Sequence, residues 1–340
     1  HGFVVDGEGR KISKSDGKPQ TADSFVSRYG ADVLRLWICS EDFRRDVPLS
    51  DEILEQVVRS YRTIRNTLRF QIGNLYDFER EDHALPLEEL TPVDRWALQR
   101  TAELIEEVTQ AFDCYEFHRA IQSLNRFCST VLSSIYHDLL KDRLYTLAPN
   151  DALRRSSQTA LDLIFDVFVR LLAPIAPFTT DEAWSHRQAN QDFCDSPISL
   201  NDWPEVNSAW KESRAAEDVS TILAFKANVA NEVLERLRED KVIGQSLDAE
   251  LEISGNAEND TFAALQRNRD FLPEFFITSA VVLTEISGES ETTAVARHAS
   301  GVRCPRSWRW VPELVSVEPW GEVSLRCSEA LRERQDLSSS

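Results

Sequence analysis

The chain has 340 residues, 42% hydrophobic and 28% charged, and its 57 acidic residues outnumber 38 basic ones to leave a formal net charge of −19. This composition excludes a disordered or collagen-like chain and leaves room for two or three domains with a sizeable core. It also excludes nucleic-acid binding over the whole surface, since an acidic face repels phosphate; only local basic clusters remain as candidates. No apolar run reaches the ~18 residues of a membrane span, and no secretory leader is visible. The six cysteines are scattered as in a reducing compartment, so a cytoplasmic location is expected. Methionine is absent, and the chain therefore reads as a piece of a longer one.

Residues 1–10, HGFVVDGEGR, predict a short apolar strand running into a tight turn at Asp6-Gly7. The loop RKISKSDGKP follows at 10–19. A helix is expected over TADSFVSRYGADVLRLWICS, capped by Thr21 or Asp23, with Phe25, Val26, Tyr29, Val33, Leu34 and Trp37 at helical spacing. From Ser50, a good N-cap, one long helix is predicted, with Leu54, Val57, Tyr61, Ile64, Leu68, Ile72 and Leu75 in a single stripe. Beside that stripe Arg62, Arg65 and Arg69 fall within roughly 60° of arc, with Arg59 further round.

Three more helical stretches follow: 92–113, 116–145 and 151–178. They have short joints, which predicts antiparallel neighbours in a bundle. Pro174 and Pro177 are expected to stop the third, and TTDEAWSH to restart a short capped helix. After a loop-rich stretch at 188–207, residues 208–240 return to helix. SLDAELEIS and FFITSAVVLTEI read as strands flanking a helix broken at Pro273, making a small α/β unit. Residues 288–293 read as a linker, 300–328 as a compact Trp-rich segment, and the end as a disordered tail.

The lysine loop has two readings. An isolated K-x-S-K-S string suits a solvated surface turn. It also suits a mobile phosphate clamp, in which lysines on flexible stems follow charge onto a leaving pyrophosphate and Gly17 lets the loop shift. The surroundings favour the clamp. HGFVVDGEGRKISKSDG resembles the segment carrying the KMSKS signature of class I aminoacyl-tRNA synthetases, and YGADVLRLW resembles the helix after it. VPLSDEILEQVVRSYRTIRNTLRFQIGNLYDF is similar to the stem-contact helix of the isoleucyl, valyl and leucyl group, closest to the isoleucyl enzymes. YHDLLKDRLY, LLAPIAPFTTDEAW and KVIGQSLDAELEI resemble later motifs of the same enzymes in the same order.

The resemblance implies that Lys11, Ser13, Lys14 and Ser15 form the signature and hold the ATP phosphates with Mg²⁺, with Lys11 and Lys14 the catalytic lysines. Ile12 takes the usual methionine position, and Lys18 stands where these enzymes often carry asparagine. No HIGH-type histidine pair is present, since His1, His83, His118, His137, His186 and His298 are isolated. The isoleucine pocket is expected outside the chain, which alone is expected to be inactive. Arg62, Arg65 and Arg69 are either helix arginines paired with neighbouring acids or phosphate contacts along tRNA. Arg154 and Arg155 are weaker candidates of the second kind.

CPRSWRWVPELVSVEPWGEVSLRC resembles a terminal zinc module whose knuckles have decayed to Cys304-x-x-Ser307 and Ser324-x-x-Cys327. Serine is a poor zinc ligand, so the metal is expected to be lost. Trp308, Trp310, Trp320, Val311, Leu314, Val317 and Leu325 are then expected to supply a small core.

The implied fold is mainly α. Residues 1–45 would end a Rossmann-type catalytic domain, and 46–80 would be the stem-contact helix. An anticodon-binding helix bundle would span 81–207, an α/β junction unit 208–295, a degenerate zinc-ribbon-like module 296–330, and a disordered tail 331–340. The expected partners are tRNA(Ile), ATP and isoleucine, with no DNA and no membrane. A valyl enzyme, a tRNA-binding protein without catalysis, and a helical scaffold for other proteins remain as alternatives.

Overall fold

A computed structural model describes residues 2–12, 21–187, 197–211, 213–288 and 291–339. The chain is mainly helical and divides into two compact units. One comprises His1–Asp82, Leu98–Ile135 and Gln158–Lys211, the other His83–Ala97, Tyr136–Ser157 and Glu212–Ser340.

The first unit opens with a two-residue strand, Val4–Val5, paired parallel with Val47–Pro48. The helix expected between them is two helices, Ala22–Tyr29 and Ala31–Ser40, because Gly30 adopts φ +90°. That conformation ends an α-helix and is cheap only for a residue without Cβ. Phe25, Trp37, Val47 and Leu54 form a buried cluster beside this break. The long helix spans Asp51–Asn74, and the Ser50 side chain accepts from the backbone N–H of Ile53 at 3.3 Å. Its predicted stripe is the inner face: Leu54, Ile64 and Leu68 are all but inaccessible.

Leu98, Ala102, Leu124, Leu132, Leu161, Phe165 and Phe168 are fully or almost fully buried and fill the helical core of this unit. Pro177 does not end a helix. It opens one, Pro177–Arg187, because a first-turn residue needs no backbone N–H for the helix.

In the second unit the expected helix over 208–240 is Arg214–Phe225, a π-helical turn Lys226–Ala230, and Asn231–Glu239. Strand Ala249–Gly255, with strictly alternating burial, is central in a three-stranded sheet. It pairs parallel with Ala280–Glu285 and antiparallel with Thr293–His298. The third strand was not anticipated: TAVARH is short, and its place depends on the partner it pairs with.

Residues 302–323 form two small antiparallel hairpins, Val302–Arg303 with Trp310–Val311 and Val315–Val317 with Gly321–Val323. The tryptophans do not build their core, since Trp308 and Trp320 are exposed, as is Leu325. The core is Cys304, Val317, Val323, Cys327 and Leu331, with Leu314 and Val315 packed against it. Helix Leu325–Ser339 runs through the stretch expected to be a disordered tail.

Candidate functional site

The lysine loop springs from a turn organised by one carboxylate. Asp6 accepts from the backbone N–H of Glu8 at 3.0 Å and of Arg10 at 2.9 Å, and from the Arg10 Nε at 3.0 Å. The Arg10 backbone bond contributes most to holding the Asp6 carboxyl below its usual range. The turn closes through Val5 and Lys11, and Ile12 N–H donates to the Val4 carbonyl at 3.0 Å. Gly2 abuts the Arg45 backbone so closely that a Cβ would lie 1.9 Å from its carbonyl oxygen. Lys11 is exposed, its Nζ 3.9 Å from the centre of the half-exposed Phe3 ring, within cation–π range. Ile12, itself exposed, borders a cavity with Phe25 and Leu49. Ser13, Lys14, Ser15 and Lys18 lie outside the described residues.

The Asp51–Asn74 helix carries Arg62, Arg65 and Arg69 on its outer side, all exposed. The arginines elsewhere are mostly neutralised: Arg28 by Asp51, Arg44 by Asp42 and Glu116, Arg80 and Arg187 by Asp162, Arg126 by Glu107, Arg267 by Asp218. None of the three ridge arginines is in an ion pair among the described residues. The expectation that acidic neighbours quench them does not hold there. Arg65 and Arg69 border a cavity of about 320 Å³ with Thr179, Glu182, Ala183 and His186.

The far wall of that cavity is held by Asp32, Thr179 and Arg35, which periodicity did not single out, together with Tyr61 of the predicted stripe. The Asp32 carboxylate accepts from the backbone N–H of Thr179 at 2.7 Å and its hydroxyl at 2.6 Å, capping the Pro177–Arg187 helix from another segment. Tyr61, on the inner stripe, shares a hydrogen bond with the Thr179 hydroxyl at 3.1 Å. Arg35 donates to the carbonyls of Pro174 and Ile175 and pins the approach to that helix. The only sequence signal was the Thr-Thr-Asp-Glu start, which marks a helix N-terminus without naming its partner.

Arg154 and Arg155 are not available to phosphate. They are buried, with Arg154 donating to the Pro149 carbonyl and Arg155 to Asn150 Oδ1. They adjoin a buried polar network in which Arg143 contacts Asp94, Thr91, Ser157 and Glu274, while Tyr136 and Ser156 each donate to Asp94 at 2.6 Å. Burial, with the Asp94 charge beside it, pushes the Tyr136 hydroxyl well above its ordinary pKa.

The four knuckle positions meet in the terminal module. Cys304 and Cys327 are fully buried with their sulfurs 3.9 Å apart. Ser324 N–H donates to the Cys304 sulfur at 3.3 Å, and Ser324 Oγ accepts from the Cys327 N–H at 3.4 Å. Burial pushes the Cys304 thiol up, but the hydroxyl and backbone groups of Ser307 and Ser324 outweigh it and bring the pKa down to about 6. Two thiols and two hydroxyls do not fit a structural zinc site, which needs four thiolate or imidazole donors. His298 is engaged elsewhere, its ring 4.6 Å from that of Trp310. Among the described residues no group of three or more His, Cys, Asp or Glu is placed to hold a metal.

Residues 1–50 match the family model for class I tRNA synthetases of the I, L, M and V group, and residues 94–253 match the anticodon-binding domain of tRNA ligase. The chain is 40% identical over 336 residues to the isoleucine–tRNA ligase of Thermotoga maritima, covering 98% of this chain and 36% of the relative. The chain belongs to the class I tRNA synthetase family.

Further isoleucine–tRNA ligases are similar to this synthetase chain: 37% identity for Natranaerobius thermophilus (97% of this chain, 36% of the relative) and 39% for Carboxydothermus hydrogenoformans (98% and 36%). The synthetase chain thus spans about a third of the length of these relatives. A looser likeness, TM-score 0.48 at 15% identity over 85% of this chain and 32% of the other, is to a chain in the LeuRS–tRNA–LeuAMS ternary complex of Agrobacterium radiobacter K84. In this chain the lysine turn lies inside the first matched region, whereas Arg62, Arg65 and Arg69 lie between the two. No helix among the described residues is long and apolar enough to cross a membrane.

Proposed function

We propose that this chain is part of an isoleucine–tRNA ligase, which joins isoleucine to tRNA(Ile) through an aminoacyl-adenylate at the expense of ATP. In this reading Lys11, Ser13, Lys14 and Ser15 hold the ATP phosphates, whose Mg²⁺ supplies further charge neutralisation, and Lys11 and Lys14 stabilise the leaving pyrophosphate. Arg62, Arg65 and Arg69 hold tRNA phosphates. Residues 1–45 close the Rossmann-type catalytic domain, 46–80 contact the stem, 81–207 bind the anticodon region, 208–295 form the α/β junction unit, and 296–330 the degenerate zinc-finger-like module. The setting is the cytoplasm.

One observation carries the tRNA assignment: in a chain of net charge −19, three exposed arginines share one helix face and stay without an ion pair among the described residues. Leaving such charges unneutralised costs little in water and suits a polyanionic partner. The test is binding of a tRNA(Ile) transcript to the triple variant Arg62→Ala, Arg65→Ala, Arg69→Ala. Affinity should fall by about 10- to 100-fold at low salt, and the slope of log Kd against log salt should flatten by about 2 to 3. Unchanged affinity and slope would remove the ridge from the interface.

A further inference from the structure

In the terminal module Cys304 and Cys327 lie buried together beside Ser324, which raises the question of what the two sulfurs do. Cys304 and Cys327 come from either end of the module, 23 residues apart in sequence, and their sulfurs are 3.9 Å apart. Among the described residues no other pair of thiols is in contact. Cys39 and Cys114 stand apart and Cys128 is buried alone, its thiol pushed up to about 12 by burial. Val317, Val323 and Leu331 pack with both cysteines in one small cluster, which holds the two sulfurs side by side. Ser324 holds the cage by hydrogen bonding, through its N–H to one cysteine and through its Oγ from the backbone of the other.

We infer that Cys304 and Cys327 are the site of an intramolecular disulfide, formed by oxidation in place of a bound metal. Bond formation needs the sulfurs to approach from 3.9 Å to ~2.05 Å. A tetrathiolate cage would prevent this because metal would hold all four sulfurs. Two hydroxyls do not compete for the sulfurs in that way.

With hydrogen peroxide as oxidant the step balances. The Cys304 thiolate attacks one peroxide oxygen and hydroxide leaves, giving a sulfenic acid at Cys304. The Cys327 sulfur then attacks the sulfenyl sulfur, the S–S bond forms, the S–O bond breaks, and water departs with the Cys327 proton. Two thiols and one peroxide become one disulfide and two waters. Cys304 is the first nucleophile because the Ser324 N–H donates to its sulfur, which favours the thiolate. The bridge joins the connection within the first hairpin, just after Val302–Arg303, to the start of helix Leu325–Ser339. Arg306, Arg309 and Arg326 alongside it bind the Tyr145 carbonyl and Asp142, so the bridge stiffens the docking of this module within its own unit.

The test uses the full 340-residue chain, reduced, freed of reductant, treated with a small excess of peroxide, then alkylated after denaturation and mapped by mass spectrometry. The expected product is a peptide pair joined at Cys304 and Cys327, lighter by two hydrogens, that a dithiol reductant separates. Four of the six cysteines should remain alkylatable. In Cys304→Ser the Cys327 peptide should stay alkylated. The inference is overturned if both cysteines are recovered alkylated while the exposed Cys114 is oxidised. Sulfinic acid on Cys304 with Cys327 still reduced also overturns it, as does a chain that holds one zinc and resists peroxide until the zinc is chelated. The wild-type map decides the matter even if a variant folds poorly.

Discussion

The Asp32 carboxylate takes two hydrogen bonds from Thr179, one from its backbone N–H and one from its hydroxyl, across 147 residues of chain. The same Thr179 meets Tyr61 of the arginine-bearing helix. Thr179 thereby links the carboxylate that caps its helix to the helix that carries the ridge.

Asp32→Ala leaves the Thr179 donors buried without their acceptor. It should lower the unfolding free energy of the unit by about 2 to 4 kcal/mol, since each hydrogen bond to a charged group is worth roughly 1.5 to 3 and the losses overlap. Urea unfolding followed by tryptophan fluorescence checks it. A midpoint within error of wild type would mean the cap contributes nothing to stability.

Arg143 is 1% exposed and bound to Asp94, Thr91, Ser157 and Glu274, so removing it strands a buried Asp94. Arg143→Ala should cost about 3 to 5 kcal/mol. Arg143→Met together with Asp94→Leu removes both charges and should recover much of that loss. A double variant no better than the single would show that packing, not the stranded charge, sets the cost.

His137 gives the protein an acid-sensitive limb. Burial is the main cause, with Lys141 adding to it, that lowers its pKa to about 3. The folded form keeps the ring neutral, while the unfolded chain takes up a proton below pH ~6.5. Stability from this residue is therefore complete above that pH and falls as pH drops, by up to ~1.4 kcal/mol per unit, until the folded pKa is reached. The lowered carboxyl of Asp142 acts in the same direction, but only below the ordinary carboxylate range. His137→Leu should flatten the stability curve between pH 6 and ~4 while leaving the steeper fall below it. A curve that overlays wild type would show that His137 does not govern this limb.

Restoring the knuckles tests the reading of the terminal module from the other side. Ser307 and Ser324 are both buried beside the two cysteines. Ser307→Cys with Ser324→Cys would supply four thiolates at the spacing of a structural zinc site. The double variant should purify with one zinc per chain by elemental analysis and gain thermal stability, whereas wild type should carry none. A double variant without metal would mean that the four positions do not converge as a ligand set.

Much of the fold follows from local rules. The stripe at Leu54, Ile64 and Leu68 is the buried face of its helix, Ser50 caps that helix, and the alternation through Leu251 and Ile253 is a half-buried strand. Each of these is set by residues within a few positions of one another, so spacing alone suffices. Arg154 and Arg155 show where that logic stops. On a helix covered from nearly every side a charged pair lies inside as readily as outside, and only the acceptors on Pro149 and Asn150 reveal that burial is tolerated. The tryptophans of the terminal segment fail in the opposite sense. Bulk suggested a core, but the hairpins turn Trp308 and Trp320 outward and place the smaller cysteines at the centre.

By itself the sequence determined the helical periods, the caps, the arginine spacing and the order of motifs that places the chain among the synthetases. All of these are read along the chain, where neighbours dictate geometry. The tertiary structure decided which arginines stay unpaired, that Asp32 caps a helix begun 145 residues later at Pro177, and that two distant cysteines touch. Those outcomes depend on which surfaces meet after the chain has folded back on itself, and no local spacing encodes that.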